Sequence, residues 1–208
     1  MGVEQGGGLW YQMLSTWVGP SFWGDMRVIS GSAKGRRLKA PPGRLVRPTS
    51  DLVKESLFNL LRVDWESSRI LDLFAGSGAL GIEALSRGAR EALFVERDPV
   101  AIRLLVENLE ACRVADRARV VRANVLRFLS GNRAKETFDV VFADPPYDLG
   151  LGEASLKAVE KGGWMRPQGI MALEHSKREQ VPARCGRLVK LDDRLYGDTR
   201  LSIHCFAK

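Results

Sequence analysis

From residue 70 onward, short apolar runs alternate with segments in which apolar residues recur at helical spacing. The runs Ile70–Phe74, Ala92–Glu96, Ala118–Arg122, Phe138–Ala143 and Ile170–Glu174 predict strands. Between them, Ala79–Arg87 is closed by Gly88 and Pro99–Cys112 is opened by Asp98 and Pro99, the stop and start signals of helices. Apolar strands separated by helices imply a mainly parallel sheet covered on both faces, a doubly wound α/β fold. Thr49 and Ser50 can cap a helix carrying Leu52, Val53, Leu57, Leu60 and Leu61, which leads into this domain. At the other end Arg187–Leu195 and Thr199–Phe206 alternate around Tyr196-Gly197-Asp198 and predict a C-terminal antiparallel hairpin added to the sheet.

Ahead of the domain, R-V-I-S and R-R-L-K-A-P flank the turn-like G-S-A-K-G and predict a basic β-hairpin with Lys34 at its tip, ended by Pro41, Pro42 and Gly43. Residues 1–25 hold three of the five tryptophans yet follow neither the strand nor the helix period. They read as an appendage, with Met26 as an alternative start; an aromatic docking segment is the competing reading. The expected organisation is an extension over 1–25, a basic arm over 26–48 and the main domain over 49–208.

With 45% hydrophobic and 27% charged residues, 208 residues suffice for one ordinary domain with a buried core. Of the net charge of +7, the arm supplies a concentrated share: Arg27, Lys34, Arg36, Arg37, Lys39, Arg44 and Arg47, with no acidic residue among them. A basic arm before a nearly neutral body is the footprint of a polyanion binder; a solvated hairpin is the plainer alternative. No run of about 18 apolar residues occurs and no Lys or Arg precedes Arg27, so neither a membrane span nor a secretory signal is expected, and the location reads as cytoplasmic. Three cysteines without a C-x-x-C pair and two histidines give no disulfide framework and no metal site, so metal-free chemistry is expected.

Candidate chemistry starts at Leu71-Asp72-Leu73-Phe74-Ala75-Gly76-Ser77-Gly78-Ala79-Leu80-Gly81, a G-x-G-x-x-G loop between a strand and a helix. Gly76 and Gly78 permit a sharp turn and close ligand approach, and Gly81 permits tight packing of helix on strand. Glu96 ends the next strand, where a carboxylate can accept from ribose hydroxyls. A nucleoside cofactor is therefore expected. Both nicotinamide dinucleotides and S-adenosylmethionine bind at such a point; Asp72 favours the second, because a carboxylate repels a diphosphate and attracts an ammonium or sulfonium group.

Asp144-Pro145-Pro146-Tyr147 follows the fourth strand, at the strand end where open α/β sheets bind ligands. An exocyclic base amine is a poor nucleophile, because its lone pair is delocalised into the ring. The Asp144 carboxylate and the Pro145 carbonyl can accept its two N–H groups and aim the lone pair, while the two prolines stiffen the backbone. Tyr147 offers an aromatic face to a base swung out of its helix.

This tetrapeptide, following L-D-L-F-A-G-S-G, resembles the amino-methyltransferases of adenine N6, cytosine N4 and guanine N2. More narrowly, R-V-I-S-G-S-A-K-G-R-R-L, R-P-T-S-D-L-V-K-E-S-L-F-N and R-L-Y-G-D-T resemble the RsmD family of 16S rRNA guanine-N2 methyltransferases, over about residues 26–206. The resemblance implies a Rossmann-like class I methyltransferase fold, S-adenosyl-L-methionine as cofactor, and 16S rRNA or a partly to fully assembled 30S subunit as partner of a monomer. It implies that Asp72, Gly76 and Gly78 line the methionine end, that Glu96 holds the ribose, and that Arg97, Asn124 and Val125 surround the adenine. Asp144, Pro145, Pro146 and Tyr147 would be catalytic. Arg27, Lys34, Arg36, Arg37, Lys39 and Arg47 would meet RNA, although Arg47 in R-P-T-S could instead close over the cofactor. Three readings stay open beside it: an adenine-N6 methyltransferase on DNA or RNA, a nicotinamide oxidoreductase, and a non-catalytic RNA-binding assembly factor.

Overall fold

The computed structural model describes residues 26–40, 50–131 and 136–207. The extension over 1–25 and the stretch 41–49, with Arg44, Arg47 and Thr49, lie outside the described residues.

Helix α1 (Ser50–Leu60) is followed by β1 (Arg69–Leu73), α2 (Ala79–Ser86), β2 (Glu91–Glu96), α3 (Pro99–Ala111), β3 (Ala118–Arg122), α4 (Val125–Ser130), β4 (Phe138–Ala143), α5 (Leu151–Gly162) and β5 (Met165–Ser176). Strands β6 (Arg184–Cys185), β7 (Leu188–Tyr196) and β8 (Thr199–Phe206) complete one eight-stranded sheet in the order β3-β2-β1-β4-β5-β8-β7-β6. The first five strands in that order pair in parallel, and the last three join antiparallel. The sheet is thus mixed, mostly parallel, with antiparallel C-terminal strands.

Alternation along β1 sends Ile70 and Asp72 to one face and Leu71 and Leu73 to the other. On the first face Ile70, Phe94 and Phe142 pack against Leu57 of α1, Ile82 and Leu85 of α2 and Leu105 and Leu109 of α3. On the second face Leu71, Leu73 and Val141 pack against Val125 and Leu129 of α4 and Leu156 and Val159 of α5. Burial on both faces explains why the central strands are apolar without a polar alternation.

The strand order turns at β1, between β2 and β4, so the loops after β1 and β4 leave neighbouring strands in opposite directions and open a crevice. Two of the three non-glycine residues with positive φ among the described residues lie on those loops: Phe74 at 59° and Asp148 at 60°. Such conformations cost on the order of 1–3 kcal/mol each and persist where the surrounding packing enforces them.

Residues 26–40 take a tighter form than two paired strands. One antiparallel bridge, Arg27 with Arg37, closes the turn, helped by the Val28 N–H donating to the Arg36 carbonyl (2.9 Å) and the Leu38 N–H to that of Met26 (2.7 Å). Gly35, Lys34 and Arg36 donate within the segment, and other donors go to the helices beneath it. The Ile29 and Ser30 N–H groups donate to the Glu83 carboxylate (2.7 and 3.0 Å), and the Ala33 N–H donates to Ser86 Oγ (2.9 Å). A Cβ on Gly31 would stand 1.8 Å from the Ser86 carbonyl oxygen, so only glycine fits there.

Candidate active site

The glycine loop leaves β1 and enters α2. Gly76 (φ 56°) and Gly78 (φ 81°) both take left-handed backbone, and a Cβ on Gly78 would lie 2.2 Å from Leu105 Cδ1. A Cβ on Gly81 would strike the Phe94 ring at 2.2 Å, so this glycine is what lets α2 lie against β2. The same close approach lets the Gly81 N–H donate to Asp72 Oδ2 at 2.8 Å.

Asp72 is buried. Desolvation pushes its pKa up to about 8, the negative charges of Asp144 and Glu96 push the same way, and the Gly81 N–H opposes them. Three carboxyl groups, from the carboxyl ends of β1, β2 and β4, therefore share one electrostatic neighbourhood. Their mutual repulsion is relieved by a cationic ligand and aggravated by a diphosphate.

Among the described residues, Glu96 is held by backbone N–H groups alone. Its Oε2 accepts from the Gly76 N–H (2.8 Å), and its Oε1 from the N–H groups of Arg97 (2.7 Å) and Asp98 (2.9 Å). A carboxylate has about four lone-pair directions, so one direction on Oε2 stays available to a ligand hydroxyl. Arg97 is exposed beside it. Asn124 is exposed and caps α4, its Oδ1 accepting from the Arg127 N–H at 3.1 Å, so its acceptor is engaged by the helix and its amide N–H₂ is the group left for a ligand. The Val125 side chain is buried in the second core face, so only its backbone can reach a ligand.

The tetrapeptide follows β4 directly. Asp144 and Tyr147 are half-buried, Pro145 is buried and Pro146 exposed. The Tyr147 hydroxyl donates to Glu174 Oε1 at 2.8 Å and lies 3.1 Å from Thr199 Oγ1. Burial first, then the charge of Glu174, pushes the Tyr147 pKa well above the usual phenol range, so the hydroxyl stays protonated. Of the arm residues, Lys34, Arg36 and Arg37 are exposed. Arg27 pairs with Asp51 (3.2 Å) and Lys39 with Glu107 (2.7 Å), so neither is the bare phosphate ligand its charge alone suggests. Exposed pairs of this kind contribute about 0–1 kcal/mol and exchange readily for another anion.

Residues that carried no signal of their own join the arm to the loop. Buried Asn108 on α3 donates to the carbonyls of Lys39 and Ser77 (both 2.9 Å) and accepts from the Lys39 N–H (2.8 Å). Ser77 Oγ also reaches Met26 Sδ at 3.2 Å. Glu83, fully buried on α2, takes an ion pair from Lys54 (3.7 Å) and one from Arg87 (2.9 Å) in addition to its two backbone donors. Only a hint existed in sequence: acidic and amide residues on otherwise apolar helix faces.

The family model described as conserved hypothetical protein 95 matches residues 26–205. A protein of Bacillus subtilis named "Putative rRNA methyltransferase YlbH" is 42% identical over 180 residues, spanning 86% of this chain and 98% of that protein. The ribosomal RNA small subunit methyltransferase D of Escherichia coli K12 is 38% identical over 159 residues, 76% of this chain and 79% of its own length. Among solved structures, one from Escherichia coli titled "Putative methyltransferase yhhF" superposes with a TM-score of 0.78 at 34% identity, covering 86% of this chain and 97% of that one. With the glycine loop, the acidic cluster and the tetrapeptide in one crevice, and with matches along nearly all of the patterned sequence, the chain belongs to the conserved hypothetical protein 95 family, alongside the small-subunit methyltransferase D proteins.

Proposed function

We propose that this chain transfers a methyl group from S-adenosylmethionine to the exocyclic N2 amine of a guanine in small-subunit rRNA. The observation that carries the reading is the convergence of Asp72, Glu96 and Asp144 on the crevice that the glycine loop and Tyr147 border. A site so rich in carboxyl groups suits a ligand bearing an ammonium and a sulfonium, and it is hostile to the diphosphate of a dinucleotide.

When bound, S-adenosylmethionine supplies an electrophilic methyl group. Every other requirement falls to the protein. Asp72 would neutralise the ammonium, Glu96 would accept from a ribose hydroxyl, and the amide of Asn124 would face the adenine. Asp144 would accept an N–H of the target amine, which turns its lone pair towards the methyl group; the proton lost after transfer can pass to water. The Tyr147 ring would stack on the extruded base. Catalysis on this account is positioning, and no histidine base is needed.

The arm supports an RNA substrate. Lys34, Arg36 and Arg37 of the arm are exposed, and Asn108 ties the backbone of exposed Lys39 to the Ser77 carbonyl of the glycine loop, so that end of the arm borders the crevice. The names of the Bacillus and Escherichia relatives point the same way. The decisive test is incubation with labelled methyl donor and either naked 16S rRNA or small subunits lacking the modification, followed by nucleoside analysis. The expected product is N2-methylguanosine. Label found in N6-methyladenosine instead would replace the guanine reading with the adenine one.

A further inference from the structure

The closing segment R-L-Y-G-D-T has no role in the account so far, yet it ends at the tetrapeptide. Thr199, the first residue of β8, is buried, and its Oγ1 lies 3.1 Å from the Tyr147 hydroxyl. Glu174 of β5 lies on the other side of that hydroxyl, 2.8 Å away. A phenol has one proton; Tyr147 donates it to the Glu174 carboxylate, so the bond with Thr199 must run from the threonine hydroxyl to the phenol oxygen. The ring is thereby fixed at its far end by two bonds of opposite sense. At its near end it follows two prolines, whose φ is locked, and precedes Asp148 in left-handed backbone.

The partners are themselves anchored. The Lys177 N–H donates to the Asp198 carbonyl (2.9 Å), and Lys177 Nζ pairs with Asp198 Oδ1 (2.6 Å), which pins the turn to the end of β5. Tyr196 of the same turn shares a hydrogen bond with Ser56 of α1. The turn is thus held from β5 and from α1 at once. A side chain needed only to fill space would not require a charged acceptor and a hydroxyl donor at its tip.

Resting on the guanine-methylation reading, we propose that Glu174 and Thr199 are positioning residues that hold the Tyr147 ring as a preset stacking face for the extruded base. Pre-ordering the ring removes the rotamer freedom that the base would otherwise have to quench on arrival. The contribution is therefore expressed in capture of RNA and not in cofactor binding.

The test combines spectroscopy with kinetics on the full chain. With tyrosine labelled at Cζ by carbon-13, the Tyr147 resonance is assigned by its loss in Tyr147→Phe. Its titration, raised in the parent, should move to lower pH in Glu174→Gln and Glu174→Leu. Thr199→Val and Glu174→Leu should each lower kcat/KM for rRNA about tenfold, the scale of one hydrogen bond, with cofactor affinity unchanged. Tyr147→Phe should cost about the same, and adding Thr199→Val or Glu174→Leu to it should cost nothing more. Thr199→Ser and Glu174→Gln, which each keep a bonding partner, should stay close to the parent. The proposal is overturned if the Thr199 and Glu174 losses multiply independently with that of Tyr147→Phe, or if the titration moves in Glu174→Leu while its rRNA turnover stays at the parental rate. A parent that makes N2-methylguanosine beside variants of parental rate sinks this inference alone; a parent that makes none sinks the methylation reading with it.

Discussion

Glu83→Ala tests how the basic arm is attached. Glu83 is fully buried, and its carboxylate accepts from the Ile29 and Ser30 N–H groups at 2.7 and 3.0 Å and pairs with Arg87 at 2.9 Å and Lys54 at 3.7 Å. Truncation leaves two backbone donors and one buried ammonium without their acceptor. Breaking one side of a buried ion pair costs about 3–5 kcal/mol. The upper end is reached only if Lys54 remains charged. Burial already holds its pKa below the ordinary lysine value, and its bond to the Arg27 carbonyl survives, so loss of its proton limits the penalty. A loss of about 3 kcal/mol is therefore expected, a large part of a typical stability of about 5–15 kcal/mol. Urea unfolding measures it. Hydrogen exchange locates it, since the Ile29 and Ser30 amides should lose protection before those of β1 and β4. Glu83→Gln, which keeps one acceptor, should lose less. If Glu83→Ala changes stability by less than about 1 kcal/mol and leaves those two amides protected, the arm is held by something other than this carboxylate.

Three further outcomes follow from the buried groups. Because Asp72 is raised to about 8, it carries a proton at neutral pH, and a cationic ligand draws that proton off. S-adenosylmethionine binding at pH 7 should release it, with affinity rising up to about pH 8; calorimetric heats equal in buffers of different ionisation enthalpy, or unchanged in Asp72→Asn, would contradict this. Glu96→Ala should weaken cofactor binding by about 1–3 kcal/mol, and an unchanged affinity by calorimetry would remove Glu96 from the site. On β8, burial first, then the charges of Lys190 and His175, lowers the His204 pKa to about 4. The neutral ring is favoured in the fold, so its stabilisation is present above the unfolded value near 6.5 and is lost as pH falls towards about 4, by up to about 3 kcal/mol. Urea midpoints of His204→Phe should fall less steeply over that range than those of the parent.

The parts of this molecule that could be read in sequence are those with local causes. Strand positions follow from apolar runs, and the role of Gly81 follows from its place in the loop, where Phe94 indeed leaves no room for a Cβ. Strand β5 begins earlier than expected, at Met165, because Pro167 and Gly169 interrupt its pattern while pairing with β4 continues through an irregularity in register. Glu83, Ser86 and Asn108 bond residues 53 to 69 positions away, and nothing in their own neighbourhoods announces that. The Tyr147 clasp gathers partners 27 and 52 positions distant, and the turn of Phe74 out of β1 is imposed by packing. Charge counting showed that the arm is basic but not which of its cations are paired, since Asp51 and Glu107 approach Arg27 and Lys39 only in three dimensions.

The central claim is that Asp144 holds the target amine in its reactive geometry. Single-turnover methyl transfer to saturating 16S rRNA, comparing the parent with Asp144→Ala, measures this most directly. The account predicts that, with S-adenosylmethionine and RNA both saturating, transfer to guanine N2 by the variant slows by about 100-fold or more, because the lost acceptor acts on the reacting atoms. Transfer by Asp144→Ala at the parental rate would contradict it.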